Sequence, residues 1–190
     1  MDGKTHVIEN VPANQRLTLK HAEANKKPIS TTKSTPIFTE KNSTHNIAFT
    51  HKENAFDDFN RERLLPHKLS NLGPHISKGD VNGDGFEDFF IGGAANSSAA
   101  LFVQDKNGNF QNQSNPTWEA DQIYEDLGSV FFDAEGDGDL DLYVASGGNA
   151  SNINSTNYQD RLYINDGAGI FSKGKLPTTN SSAACVAAFD

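Results

Sequence analysis

From Ile76 onward, apolar residues come in short clusters separated by acidic or Asn/Gly-rich turns, and the pattern repeats. Runs such as Phe89–Ile91, Leu101–Val103, Val130–Phe132, Leu142–Ala145 and Leu162–Ile164 are too short for helices. They are rich in aromatic and β-branched residues, which predicts buried strands. Asp80–Gly93 aligns with Asp133–Gly148, and Leu101–Phe110 aligns without gaps with Leu162–Phe171. The first acids of the two units lie 53 residues apart. Each unit reads as strand, acidic loop, apolar strand, Gly-Gly turn, apolar strand, Asn/Gly turn and a short strand beginning at Phe. Four short strands per unit is the content of a β-propeller blade. The second unit carries an extra Asn/Ser loop at Asn149–Asn157, which the repeat places on an exposed face.

The expected fold class is therefore all-β: a partial β-propeller of about two four-stranded blades plus the first strand of a third. That third strand is the run Cys185–Phe189, which matches Ser129–Phe132 and leads into Asp190 as the first acid of a further loop. Upstream, residues 45–72 are mixed, with a strand expected at Ile47–Thr50. Residues 25–44 are rich in Lys, Ser, Thr and Pro and read as a linker. Residues 1–24 read as one or two short strands, with a turn at Pro12–Asn14, too small to bury a core alone.

The acidic loops hold the candidate chemistry. In the first, Asp80, Asn82, Asp84 and Asp88 carry side-chain oxygens at positions 1, 3, 5 and 9. Gly85 permits the sharp turn and Phe86 offers its carbonyl. In the second, the same places hold Asp133, Glu135, Asp137 and Asp141, with Gly138 at the turn and the Asp139 carbonyl. Calcium takes six to eight hard oxygens in flexible geometry, and such a loop supplies five. Magnesium demands stricter octahedral geometry, and zinc wants His or Cys. Two calcium sites are expected. The loops are not EF-hands: position 12 is Ile91 or Val144, in a strand rather than a helix-flanked Glu. Carboxylates this close repel and call for a cation. Glu135 departs from the Asp or Asn expected at position 3.

Composition narrows the partners. A net charge of −9 argues against nucleic acid and anionic lipid. No stretch reaches the roughly 18–20 apolar residues of a membrane span, and Met1 is not followed by a signal peptide. The single Cys185 reads as a small buried hydrophobe. Trp118 reads as packing between blades rather than as a sugar platform. The histidines share no spacing, and His51, Glu53, Asp57 and Asp58 read as a solvated loop. No nucleophile motif or catalytic triad is present, so no enzymatic activity is expected. Six Asn-x-Ser/Thr sequons are compositional.

These residues resemble the FG-GAP/VCBS repeats of calcium-binding β-propellers, of the kind found in integrin α-subunit heads and cartilage acidic protein. The pattern at 80–88 matches well, and that at 133–141 matches apart from Glu135. The resemblance covers roughly residues 70–190. The stretch Asp2–Lys20 is similar to the end of an ASPIC/UnbV domain, a module that commonly follows such repeats. Together the resemblances imply a calcium-binding, non-catalytic module of a larger secreted or cell-surface protein, expected to be bacterial, with a protein or glycan ligand. The alternative they imply is an accessory propeller of a secreted carbohydrate-active or other hydrolytic enzyme.

Overall fold

A computed structural model describes residue 6 and residues 8–24 and 36–189. The chain divides into two compact units, Met1–Glu40 and Lys41–Asp190.

In the first unit no strand forms among the described residues, contrary to the expectation for residues 8–24. The only regular element described is a single 3₁₀ turn, His21–Glu23. The alternating Ile8, Val11, Leu17 and Leu19 remain between 42% and 59% exposed. Alternation specifies a strand only where a neighbouring strand and a core receive it. Val7 and most of the expected linker lie outside the described residues.

The second unit holds two four-stranded antiparallel sheets with strand orders β1-β2-β3-β4 and β5-β6-β7-β8. The first comprises β1 (Ile76–Gly79), β2 (Asp88–Ile91), β3 (Ala100–Gln104) and β4 (Phe110–Gln113). The second comprises β5 (Asp126–Phe132), β6 (Asp141–Ser146), β7 (Arg161–Asn165) and β8 (Phe171–Lys173). Both are simple meanders, each the four-stranded unit the repeat predicts. The register pairs Gly79 with Asp88 in one sheet and Phe132 with Asp141 in the other, so each acidic loop closes the first hairpin of its sheet. A short helix, α1 (Pro116–Ala120), joins the sheets. Asn115 caps it by accepting from the Thr117 N–H.

The main core lies between the two sheets. Phe90 and Leu101 from the first meet Leu142, Val144, Tyr163 and Phe171 from the second. Trp118 on α1 fills the centre, 4% exposed, with its ring 4.6 Å from Tyr163 at 80° and 5.5 Å from Phe90. This edge-to-face geometry suits aromatic quadrupoles. It confirms the packing role expected of Trp118.

Because strand side chains alternate, Phe89 and Ile91 point to the other face of the first sheet. There they join Ala100, Phe102 and Phe110. Residues 47–50 form no strand, but Ile47 and Phe49 pack against this face and cover it. The loop expected to be solvated at 51–58 is also built in. His51 Nε2 meets Glu53 Oε1 at 2.7 Å, and Asp58 is fully buried, accepting from the Ser70 hydroxyl and N–H.

The Cys185–Phe189 run is not a strand, and Cys185 is exposed, not buried. One contact does follow the repeat. The Ala183 N–H donates to the Ser146 carbonyl at 2.9 Å, as the Asp126 N–H donates to Gly93 one unit earlier at 3.0 Å. The segment then passes Gly128, whose missing Cβ would sit 3.2 Å from the Cys185 Cα. Among the described residues no further strand lies beside it to bury the thiol. Asp190 lies outside the described residues.

The β2–β3 turn depends on one close approach. A Cβ on Gly93 would lie 2.1 Å from the Ser97 carbonyl oxygen and 2.8 Å from the Ala99 nitrogen. Both are backbone atoms and cannot swing aside. Gly93→Ala is expected to cost about 1–3 kcal/mol, the usual range for overpacking, read as a lower urea midpoint with an unchanged slope.

Candidate metal centres

The ninth-position acids start their strands, as the spacing predicts, but they act first as staples. Asp88 is 1% exposed and Asp141 is fully buried. Asp88 accepts from the Val81 N–H at 3.0 Å and from the Gln104 N–H at 2.8 Å. Asp141 does the same one unit later, accepting from Ala134 at 2.8 Å and Asn165 at 2.9 Å. Each carboxylate thus ties the start of its acidic loop to the end of the third strand. Burial pushes the Asp88 carboxyl above its usual range against these two N–H groups, and Asp84 and Asp80 push it further.

The first-position acids organise the loop backbone. Asp80 accepts from the Asp84 N–H at 3.1 Å and the Gly85 N–H at 2.8 Å. Asp133 accepts from Gly136, Asp137 and Gly138. Against its own desolvation, those N–H groups hold Asp133 below the ordinary range. Gly85 and Gly138 take φ of +87° and +96°, which a side chain would resist, so glycine is required at the sixth position.

The remaining donors differ between the loops. In the first, Asn82 Nδ2 donates to Asp84 Oδ2 at 3.1 Å, and Asp84 accepts from the Phe86 N–H at 2.9 Å. An amide beside a carboxylate relieves the repulsion. In the second, Glu135 takes the Asn82 place. Partial desolvation, then the charges of Asp137, Asp141 and Asp133, raise the Glu135 carboxyl. The same causes raise Asp139, whose Oδ1 is buried without a hydrogen-bond partner. The spacing assigned Asp139 only a carbonyl; its side chain also faces the acid cluster.

Among the described residues no group of three or more His, Cys, Asp or Glu side chains is placed to hold a metal ion. Apart from Glu135, the carboxylates that the spacing aims inward are turned onto backbone N–H groups. The donor chemistry still fits a hard cation, because every candidate is a carboxylate, amide or carbonyl oxygen.

One residue outside the nine-residue patterns links the loops. Asn165, at the end of β7, donates from Nδ2 to the Val81 carbonyl at 2.7 Å and the Leu140 carbonyl at 3.1 Å. Its Oδ1 accepts from the Asp166 and Gly169 N–H groups. Both acidic loops therefore share one buried amide, and they open at the same end of the two sheets.

Two blade-like four-stranded meanders with an acidic loop at equivalent hairpins define an all-β repeat protein of propeller type. Residues 80–144, from the first acid of one loop through the second loop and into β6, match the FG-GAP-like repeat family. The match covers those residues and marks them as an FG-GAP-like repeat. No curated protein matches the chain. Among the described residues no helix is long and apolar enough to cross a membrane.

Proposed function

We propose that this chain is a non-catalytic, calcium-binding propeller module of a secreted or cell-surface protein, in which the ions brace the acidic hairpins and nearby loops engage a protein or glycan. The observation that carries the reading is the second loop. Glu135 and Asp139 are held above their ordinary range by neighbouring carboxylates, and Asp139 keeps a buried oxygen without a partner. A divalent cation supplies the missing positive charge. The FG-GAP-like repeat and the resemblance of 80–88 and 133–141 to VCBS loops support the same reading, and the similarity of Asp2–Lys20 to an ASPIC/UnbV tail fits an exported multidomain parent.

In this reading Asp80, Asn82, Asp84, Asp88 and the Phe86 carbonyl hold one ion. Asp133, Glu135, Asp137, Asp141 and the Asp139 carbonyl hold the other. The buried staples retain lone pairs for an ion, while Asp84, Glu135 and Asp137 turn inward on binding. Extracellular calcium modules bind with dissociation constants of about 10⁻⁴–10⁻³ M. At about 1 mM calcium a 10⁻⁴ M site adds about 1.4 kcal/mol to stability. That raises the melting temperature by about 3–6 °C in a chain this size. Calorimetric titration should show calcium heat, and EDTA should lower the melt reversibly. An absent heat together with an EDTA-insensitive melt would overturn the proposal.

A further inference from the structure

The other end of the sheets carries a site that the acidic loops do not use. In each meander the acidic hairpin and the last hairpin share one end, so the β2–β3 and β6–β7 connections and the approach to β5 gather at the opposite end. There, with residues 54 and 70, they enclose a cavity of about 310 Å³. That volume falls within the range of small-ligand sites. Its lining combines Ala95, Ile123 and Ala150 with the polar Asn54, Asn157 and Glu125.

Glu125 is the unexplained residue. It is 6% exposed. Its Oε2 accepts from the Ala95 N–H at 2.9 Å, while its Oε1 is buried with no hydrogen-bond partner. A buried carboxylate oxygen left without a donor is costly, and such orphans mark a missing partner. The charges that act on it are Glu53, Asp126 and His51. His51 Nε2 is already engaged by Glu53, and Arg161 by Asp126. Among the described residues no neighbouring cation is therefore committed to Glu125. Burial first, then Glu53 and Asp126, push its carboxyl up to about 7, against the Ala95 N–H and His51.

We propose that this cavity binds a primary ammonium group on an aliphatic stem, with the ammonium donating to Glu125 and the stem lying over Ala95, Ile123 and Ala150. An ammonium brings three donors and the absent charge. The Asn157 amide oxygen can take a donor that Glu125 does not, and Asn54 Oδ1, which already accepts from the Phe56 N–H at 3.2 Å, keeps a second lone pair. A neutral polyol would satisfy the amides but leave the carboxylate uncompensated. The group can come from a lysine side chain of a peptide or from a free alkylamine. Neither source depends on calcium in the acidic loops.

The test titrates the intact chain, in EDTA, with n-pentylamine and with Nα-acetyl-lysine methylamide. The neutral controls are n-pentanol and Nα-acetyl-norleucine methylamide. Amide NMR signals of Ala95, Ile123 and Gly148 should shift saturably with an amine and not with its neutral counterpart. Glu125→Gln should weaken binding at least tenfold. Ala150→Trp, at an exposed loop position, should block the cavity while leaving the melt unchanged. Affinity should rise between pH 6 and pH 8 as Glu125 loses its proton. Binding by pentylamine alone identifies a free amine as the source, and binding by the lysine derivative alone a peptide; either supports the site. Absent shifts, equal binding of the neutral controls, or wild-type affinity in Glu125→Gln would overturn it.

Discussion

Arg161→Met is expected to lower the unfolding free energy by about 3–5 kcal/mol, the usual effect of removing one partner of a buried ion pair. Arg161 is 4% exposed at the start of β7, and its Nη2 pairs with Asp126 at the start of β5. The same nitrogen donates to the Ser146 hydroxyl at 3.1 Å, and Nη1 reaches the Tyr163 hydroxyl at 3.3 Å. The guanidinium also lies 4.4 Å over the Tyr124 ring. Asp126 uses its second oxygen to accept from the Gly93 N–H in the β2–β3 turn of the first blade, so the pair bridges the two blades. Methionine fills much of the volume but leaves Asp126 charged, buried and held by a single N–H. The melting temperature should fall by about 10 °C at 2–4 °C per kcal/mol. Adding Asp126→Asn to Arg161→Met should recover part of the loss, because the orphan charge is gone. A single substitution costing under about 1 kcal/mol, the range of a surface pair, would show that the pair is solvated.

That ion pair also marks where the sequence stops being informative. The blades were legible because their signals are local: period-2 alternation, β-branched runs and a loop that returns in register. The gapless match of Leu101–Phe110 to Leu162–Phe171 carried the strand count and even the turn chemistry. Asp105 and Asp166 occupy the same place and each accepts two N–H groups from its own turn. Arg161, however, aligns with Ala100, so no repeat announces it, and its partner lies 35 residues away. Asn165 aligns with Gln104, which hides the fact that only the second amide ties the two loops together. The segment before β1 has no repeat at all. Its Ile47 and Phe49 become core only because the first sheet presents an apolar outer face to cover. Cys185 fails in the opposite direction: an apolar run is buried only if something packs on it. For the acidic loops, spacing predicted which oxygens gather but not what they meet first. In the structure they meet backbone N–H groups, which gives the ninth-position acids a structural role separate from any ion.

That separation makes Asp141→Asn and Asp137→Asn a decisive pair. Asp141 is fully buried and accepts an N–H on each oxygen, from Ala134 and from Asn165. An asparagine has one acceptor oxygen, so its amide nitrogen must face a second N–H. One charge-assisted bond becomes a donor–donor contact, and the other loses its charge. Hydrogen bonds to charged groups contribute about 1.5–3 kcal/mol, and an unsatisfied buried donor adds its desolvation cost. Asp141→Asn should therefore destabilise the chain by about 2–4 kcal/mol in EDTA, with no calcium present. Asp137 sits exposed on the loop, with one long contact to the Asp139 N–H at 3.3 Å. Asp137→Asn should change stability in EDTA by no more than about 0.5 kcal/mol. It should even ease the repulsion that raises Glu135 and Asp139. In calcium the order changes: Asp137→Asn should lose the stabilisation and heat of the second loop while the first loop still binds. If Asp141→Asn were as mild as Asp137→Asn in EDTA, the staple would not hold the hairpin. If Asp137→Asn left calcium binding intact, the second loop would not be the ion's seat.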